Sequence, residues 1–446
     1  MSGAFAGERV LVVGYGASGR AAVRVLLEEG ARVRVSEARP ADRVEELPPL
    51  EVEFRAGGHR PTDLEGVSLV VLSPGVPEHA PVVRWARRAR LRVWSELELG
   101  ARLCRVPYVA VTGTNGKTTT VELVAAMMRE AGLRARACGN VGYPFSLAAR
   151  EPGDALAVEA SSFQLRFHET LHPRVSVLLN LAPDHLDWHG SFEAYAAAKA
   201  RVFLRQRPEA GDVHVGNRDD PQAAGVSRRA PCEVRWFGWG APRPGEVGVV
   251  EGRVVALVGG RELDLGRPPA PSRSLALDAA AAAAAALAFG LPPEAVRRAV
   301  ERFVPLPHRG TVVAEAGGVR FVDDSKATNP HAALAALEGR SDVVLVAGGL
   351  AKGVDLSPLA AAAPALRAVV AVGEAAPELE RVFEGLLPVR RAGSMEEAVE
   401  AAYALAAGRG VVLLAPACAS QDMFADYAER GDRFARAAAM LARGEG

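Results

Sequence analysis

Lysine is almost missing from this sequence. Of its 53 basic side chains only four are lysine (Lys117, Lys199, Lys326 and Lys352), so arginine supplies nearly all the positive charge. This scarcity excludes lysine as a general surface residue. It singles out four positions that want an amine, which can lose its proton and act as a nucleophile where a guanidinium cannot. Cysteine is scarce too: Cys104, Cys138, Cys232 and Cys418 lie far apart and form no C-x-x-C pair. That excludes a disulfide framework and points to reduced thiols in a cytoplasmic protein. Net charge is lacking, with 53 basic against 53 acidic residues. No general field attracts nucleic acid or an anionic membrane, so a polyanionic ligand has to be held by local loops. No basic stretch precedes the first apolar run, and no signal peptide is expected. The longest apolar run, AAAAAAAALAFGL at 279–291, is too short for a membrane span and reads as a buried helix.

What is present is alternation. Short β-rich runs such as RVLVVG (9–14), PYVAVTG (107–113), DVVLVAGG (342–349) and GVVLLAPA (410–417) are separated by helical patterns. This is the signature of α/β folding with parallel sheets and crossover helices. The helical pattern WSELELGARLCRVP (94–107) restarts the βα rhythm, and FVPLPHRG (303–310) interrupts a helix with two prolines. The expectation is three α/β domains: a Rossmann-like one at 1–94, a central P-loop-type ATPase domain with a parallel sheet at 95–304, and a Rossmann-like one at 305–446. The Gly-, Pro- and Arg-rich stretch 232–274 reads as a small antiparallel insert or edge. Nothing demands more than a monomer.

Two loops are suited to phosphate. GYGASG (14–19) follows a strand and opens a helix, with Glu37 ending the next strand. Gly14, Gly16 and Gly19 let the backbone approach a diphosphate at a helix N-terminus, without saying what that diphosphate carries. A second loop, SPG (73–75), joins the same sheet edge. VTGTNGKTTT (111–120) lies between a strand and a helix. Its Gly113, Thr114, Asn115, Gly116, Lys117, Thr118 and Thr119 form a nucleotide cradle, with Lys117 for the terminal phosphates and Thr118 for Mg²⁺. It departs from the standard P-loop in having Val111 where glycine is usual. Downstream, VEASSFQL (158–165) and NLAPDHLDWHGSFEAYAAAKA (180–200) follow two strands. Glu159 and His185 are the candidate metal ligands there, beside a triphosphate; His189 reads as structural.

TGTNGKTT, GNVG, VEASSFQL, DHLDWHG and AAAKA, in this order, resemble the ATP-dependent Mur ligases of peptidoglycan synthesis across the whole chain. FVDDSKATNP (321–330) and LLAPACASQDMF (413–424) narrow the resemblance to the branch that adds D-glutamate to UDP-N-acetylmuramoyl-L-alanine. The resemblance implies ATP and two Mg²⁺ ions, with a CO₂-derived carbamate on Lys199 turning a cation into a metal ligand. It implies Lys117, Glu159, His185 and Lys199 as catalytic residues, and Thr118, Glu159, His185 and Lys199 as metal ligands. Asn140, Arg309 and Asp324 would contact nucleotide. Ser18, Glu37, Arg39, Ser73 and Gly75 would hold the UDP end, with Ser161 also on substrate. Lys326, Thr328, Lys352, Ser420 and Tyr427 would line the glutamate pocket.

Besides Val111, the sequence departs from the family pattern in two places: Ser274, Leu275 and Asp278 replace an asparagine-bearing adenine motif, and Tyr427 stands where phenylalanine is usual. Three rival readings start from fewer residues. An NAD-linked oxidoreductase would use GYGASG alone, a folylpolyglutamate synthetase would have no use for a first-domain UDP site, and a nucleotide-binding switch would leave the third-domain motifs without work.

Overall fold

The computed structural model describes residues 3–269 and 272–444. The chain separates into two compact units. One comprises the chain through Leu181 with Trp188–Pro269 and Ala276–Phe303; the other comprises Ala182–Asp187, the stretch before Ala276, and the chain from Val304 onward.

The first unit carries two sheets. Strands β1 (Arg9–Val13), β2 (Arg32–Ser36), β3 (Glu53–Arg55), β4 (Leu69–Leu72) and β5 (Arg92–Ser95) form a sheet in the order β3-β2-β1-β4-β5, parallel throughout. Unbroken apolar runs such as LVVL in β4 are buried, as a parallel sheet covered by helices on both faces requires. Strand order reverses between β1 and β4, which opens a crevice at their C-terminal ends.

The second sheet is built from β6 (Tyr108–Thr112), β7 (Ala135–Gly139), β8 (Ala155–Glu159), β9 (Val175–Leu178), β10 (Val213–Asn217), β11 (Glu233–Trp239), β12 (Val247–Val250), β13 (Arg253–Val258) and β14 (Arg261–Asp264). Its order is β14-β13-β12-β11-β10-β9-β6-β8-β7. Strands β6 to β12 run parallel, and β13 and β14 continue the edge as an antiparallel meander. The insert expected at 232–274 is therefore half right: β11 joins the parallel core, and the meander follows it; residues 270 and 271 lie outside the described set. Again β6 sits at the reversal, between β8 and β9, so the loop after it emerges into a crevice. The alanine run belongs to the helix Arg273–Phe289 and is buried from Ala279 to Ala286.

Polar contacts join these two sheets. Ser95 Oγ accepts from Glu98 N to cap the helix Glu96–Leu103 and donates to Gln164 O at 2.9 Å. Glu98, fully buried, accepts from Glu169 N, Thr170 N and Thr170 Oγ1, each at 2.8 Å. Glu78 pairs with Arg166.

The second unit holds β15 (Thr311–Ala316), β16 (Val319–Asp323), β17 (Val343–Gly348), β18 (Leu366–Val372), β19 (Val389–Arg391) and β20 (Val411–Ala417) in the order β15-β16-β20-β17-β18-β19. All pairs are parallel except the β15–β16 hairpin. Among the described residues no helix is long and apolar enough to cross a membrane.

Ser95→Ala removes a helix cap and one of the two hydrogen bonds to the Gln164 carbonyl, which keeps the one from Phe167 N. The expected outcome is a loss of about 1–2 kcal/mol in the first unit, measured by urea denaturation as a shift of one transition while that of the second unit stays in place.

Candidate active site

Three loop clusters gather the sequence-predicted residues. The first lies at the β1/β4 crevice. Gly14 adopts φ +83, and a Cβ on Gly19 would lie 2.1 Å from the Gly14 carbonyl oxygen, so the turn into the helix Ala17–Glu28 needs both glycines. Ser73 Oγ donates to Gly14 O at 2.9 Å and ties the SPG loop to the glycine loop. Between them is a cavity of about 510 Å³ lined by Gly14, Gly16, Ser18, Glu37, Ser73 and Gly75 among others. Arg39 is not part of that lining; its guanidinium lies on Glu37 at 3.0 Å. Burial pushes the Glu37 carboxyl up, but hydrogen bonds from the Arg39 side chain and backbone and from Tyr15 N outweigh it and bring it down to about 2. Glu37 thus stays ionised and shapes the loop.

The second cluster surrounds the loop after β6. Gly116, at φ +83, caps the helix Lys117–Glu130. Asn180, directly after β9, grips the loop in both directions: Asn115 N donates to its Oδ1 at 2.8 Å and its Nδ2 donates to Asn115 O at 3.2 Å. Lys117 Nζ donates to Gly113 O at 3.0 Å and Thr114 O at 2.8 Å. Lys199 Nζ donates to the same Gly113 oxygen at 2.7 Å. The helix Phe192–Ala200 puts Tyr195, Ala198 and Lys199 on its buried face, and Lys199 is 2% exposed. Its ammonium lies 4.6 Å from the Tyr195 ring, and Tyr195 Oη bonds Thr114 Oγ1 at 3.0 Å. An alanine-rich helix with a lone lysine is thus no solvated face; it buries an amine against a phosphate loop.

Glu159 ends β8, buried. Asn140 Nδ2 donates to its Oε1 at 3.2 Å, while Oε2 is buried with no hydrogen-bond partner among the described residues. A carboxylate oxygen left open at the mouth of a phosphate loop is suited to a cation. Among the described residues there is no group of three or more His, Cys, Asp and Glu side chains able to cage a metal. Ser161 caps the helix Ser162–Arg166 and is bonded to Gln164 on both its hydroxyl and its amide. Thr118 and Thr119 begin the helix after the loop, Thr119 buried and Thr118 partly exposed. His189 bonds Ser162 Oγ at 3.0 Å and stacks on Phe163, a structural position. His185 falls in the second unit, at φ +53, with Nε2 3.7 Å from Asp184 Oδ2.

Sequence reading missed three residues here. Asn180 and Tyr195 stood inside quoted motifs, and Tyr195 precedes Lys199 by one helical turn, a spacing that signals a shared face. Asp278, noted only as a departure, presses its carboxylate on the loop: a Cβ on Gly116 would lie 2.1 Å from Asp278 Oδ1.

The third cluster lies at the C-terminal ends of β16, β17 and β20. Buried Arg430 joins two of its loops, donating to Ser325 O at 2.8 Å, Ser325 Oγ at 3.0 Å and Cys418 O at 3.0 Å. Leu350 and Ala419 exchange backbone hydrogen bonds and join the third. Within this frame Lys326 Nζ lies 3.6 Å from the centre of the Tyr427 ring, Thr328 follows, and Ser420 is buried. Lys352 is exposed at φ +53. Burial pushes the partly buried Asp324 carboxyl up to about 7, with Arg309 pulling back only in part. Ser274 is exposed and bonds Ser272, and Leu275 is buried.

The chain matches a Mur ligase MurD-like N-terminal domain over residues 8–95, a Mur ligase middle domain over 111–246 and a Mur ligase glutamate ligase domain over 308–418. It is 46% identical over 459 residues to the UDP-N-acetylmuramoylalanine–D-glutamate ligase of Frankia casuarinae, covering 97% of this chain and 94% of that one. To the enzyme of the same name from Thermobifida fusca it is 43% identical, covering 98% and 99%. Among solved structures it superposes on the UDP-N-acetylmuramate–alanine ligase of Thermotoga maritima with a TM-score of 0.60 at 18% identity, covering 96% of this chain and 98% of that one.

Two outcomes follow from this geometry. Gly116→Ala must force a left-handed backbone and displace Asp278, so ADP affinity should fall roughly tenfold or more, as titration calorimetry would read. Asp324 binds its proton more tightly folded than unfolded, so its contribution to stability is full below about pH 4 and is lost as pH rises through about 7. Asp324→Asn should flatten that decline, seen in thermal melts of the second unit between pH 4 and 8.

Proposed function

The chain belongs to the Mur ligase family, and from that premise we propose that it joins D-glutamate to UDP-N-acetylmuramoyl-L-alanine using ATP, in peptidoglycan precursor synthesis. The observation that carries the reading is the buried amine of Lys199 on the Gly113 carbonyl, together with a Glu159 carboxylate oxygen buried without a partner among the described residues. An NAD-linked oxidoreductase would give neither group work.

Amide formation needs an activated carboxylate, because oxide is a poor leaving group. The terminal alanine carboxylate of the UDP-linked acceptor attacks the γ-phosphorus of ATP, ADP departs, and an acyl phosphate forms. The amine of D-glutamate then attacks the acyl carbon, loses its proton, and expels inorganic phosphate. The protein's task in the first step is alignment and charge neutralisation. Lys117, held over the loop by two carbonyls, turns to the phosphate oxygens, and the backbone N–H groups of the first helical turn, Lys117 to Thr119, take up the rest. Thr118 and Glu159 are the residues that would hold one Mg²⁺, and His185 and carbamylated Lys199 the other; bound Mg²⁺ offsets charge on the transferring oxygens.

The carbamate is the finer part of this proposal. CO₂ adds to the neutral Lys199 amine and releases a proton, which converts a cation into an anion. Two ammonium groups now share one carbonyl oxygen, so the conversion also replaces like-charge repulsion with attraction to Lys117. Arg309, Asp324 and Asn140 are assigned to the nucleotide, and Lys326, Thr328, Lys352, Ser420 and Tyr427 to the incoming amino acid. Ser18, Glu37, Ser73 and Gly75 take the UDP end, with Arg39 acting through Glu37 and Ser161 by shaping the turn after β8. Division into domains at 94/95 and 304/305, a monomeric state and a cytoplasmic location belong to the same reading.

Lys199→Ala should lower the rate of phosphate release by roughly 10²–10³, with partial recovery on adding formate or acetate. A fully active Lys199→Arg enzyme would sink the carbamate. Phosphate release with acceptor and D-glutamate, and not with either alone, tests the reaction itself.

A further inference from the structure

One polar side chain of the first-unit cavity has no role in the account so far. His59 lines that cavity. It sits on a loop zipped to the end of β2, where Gly57 N donates to Arg39 O at 3.0 Å and Gly58 N to Glu37 O at 3.1 Å. Both glycines hold φ values, +81 and +115, that other residues rarely adopt, so the loop is built to bring His59 in.

The hydrogen bonds around it fix its tautomer. Asp63 is fully buried and accepts from Arg60 N at 2.9 Å, Arg55 Nη1 at 3.0 Å and Ser36 Oγ at 2.7 Å. Burial pushes the Asp63 carboxyl up, but these donors outweigh it and keep it below its ordinary value. An ionised carboxylate only accepts, so the single hydroxyl proton of Ser36 is committed to Asp63. Ser36 Oγ also lies 2.8 Å from His59 Nδ1. With its proton spent, the hydroxyl can only accept there, and Nδ1 must carry the hydrogen. Burial holds the imidazole below its ordinary value against the opposing pull of Asp63 and Glu37, which favours the neutral ring. A neutral ring with a hydrogen on Nδ1 has a bare lone pair on Nε2.

Such an atom repels phosphate oxygens and needs a donor. The sheet order puts β2 next to β1 and β3 beyond it, with strands about 4.8 Å apart. A diphosphate on the glycine loop after β1 would direct its ribose over β2 and its base towards the β2–β3 edge, where His59 lies. We propose that Nε2 of His59 accepts a hydrogen bond from the imide N3–H of a uracil ring, making His59 a base-specificity residue of the acceptor site. This rests on the reading of a UDP-linked acceptor given above. Cytosine offers a lone pair at the same ring position and would meet Nε2 lone pair to lone pair.

The test is titration calorimetry of the full chain with UDP, N3-methyl-UDP, CDP and 2′-deoxy-UDP. The wild type should bind N3-methyl-UDP and CDP about tenfold or more weakly than UDP, and 2′-deoxy-UDP within about twofold of UDP. His59→Leu should lose about tenfold for UDP and bind UDP and N3-methyl-UDP alike. Equal wild-type affinity for UDP and N3-methyl-UDP, or a loss confined to 2′-deoxy-UDP, overturns the His59 assignment and leaves the UDP reading standing. No binding of UDP at all, with no competition against the acceptor in the ligase assay, overturns both. The comparison of ligands on the wild type decides the matter even if the His59 variant fails to fold.

Discussion

One carbonyl oxygen organises the catalytic half of this molecule. The Gly113 oxygen accepts from Lys117 and from Lys199, residues 82 positions apart in sequence that reach it from different helices. The convergence depends on the loop being rigid. Asn180 clamps its backbone, Gly116 supplies the left-handed turn, and Tyr195 braces Thr114 while its ring flanks the Lys199 ammonium. A buried ammonium needs acceptors in place of water. Gly113 O supplies one to Lys199.

Two carboxylates at strand ends show how the fold separates structure from chemistry. Glu37 and Glu159 occupy comparable places, each closing a buried parallel strand next to a glycine-bearing loop. Both oxygens of Glu37 are engaged by Arg39 and Tyr15, so its charge serves to hold a turn. Glu159 is engaged on one oxygen only, by Asn140, and the other faces no protein donor among the described residues. Leaving a buried acceptor unmade costs stability, on the order of 1–3 kcal/mol.

In the second unit the same economy of polar groups is achieved with one arginine. Arg430 is 1% exposed and spends its guanidinium on carbonyl and hydroxyl oxygens of the Ser325 and Cys418 loops. Burial pulls it down to about 10, still well above neutrality, so it remains a charged clamp. Lys326 and Ser420 are presented by the loops it holds, and Tyr427 opens the helix that bears it. Lysine scarcity therefore has a different meaning at each position: Lys199 and Lys117 share an acceptor, Lys326 lies on an aromatic face, and Lys352 stands exposed, where burial alone gives no reason to prefer it over arginine.

The parallel sheets, their glycine loops and the identity of most candidate residues were legible from the chain because each is a local matter. A β-rich run followed by Gly and an amphipathic helix is recognisable within about 20 residues, and a G-K-T loop or a D-S-K-A-T-N stretch needs no partner to be seen. Strand order, the buried face of the helix that bears Lys199, the contact of Asp278 with Gly116 and the serine–histidine relay behind the first cavity were not legible. Each depends on groups far apart in sequence meeting at one point, and on which hydrogen-bonding atoms are already satisfied there. Spacing carries residue types along the chain, but whether both oxygens of a strand-end carboxylate are engaged, as in Glu37, or only one, as in Glu159, depends on the donors around each oxygen, and those donors arrive only when the chain has packed.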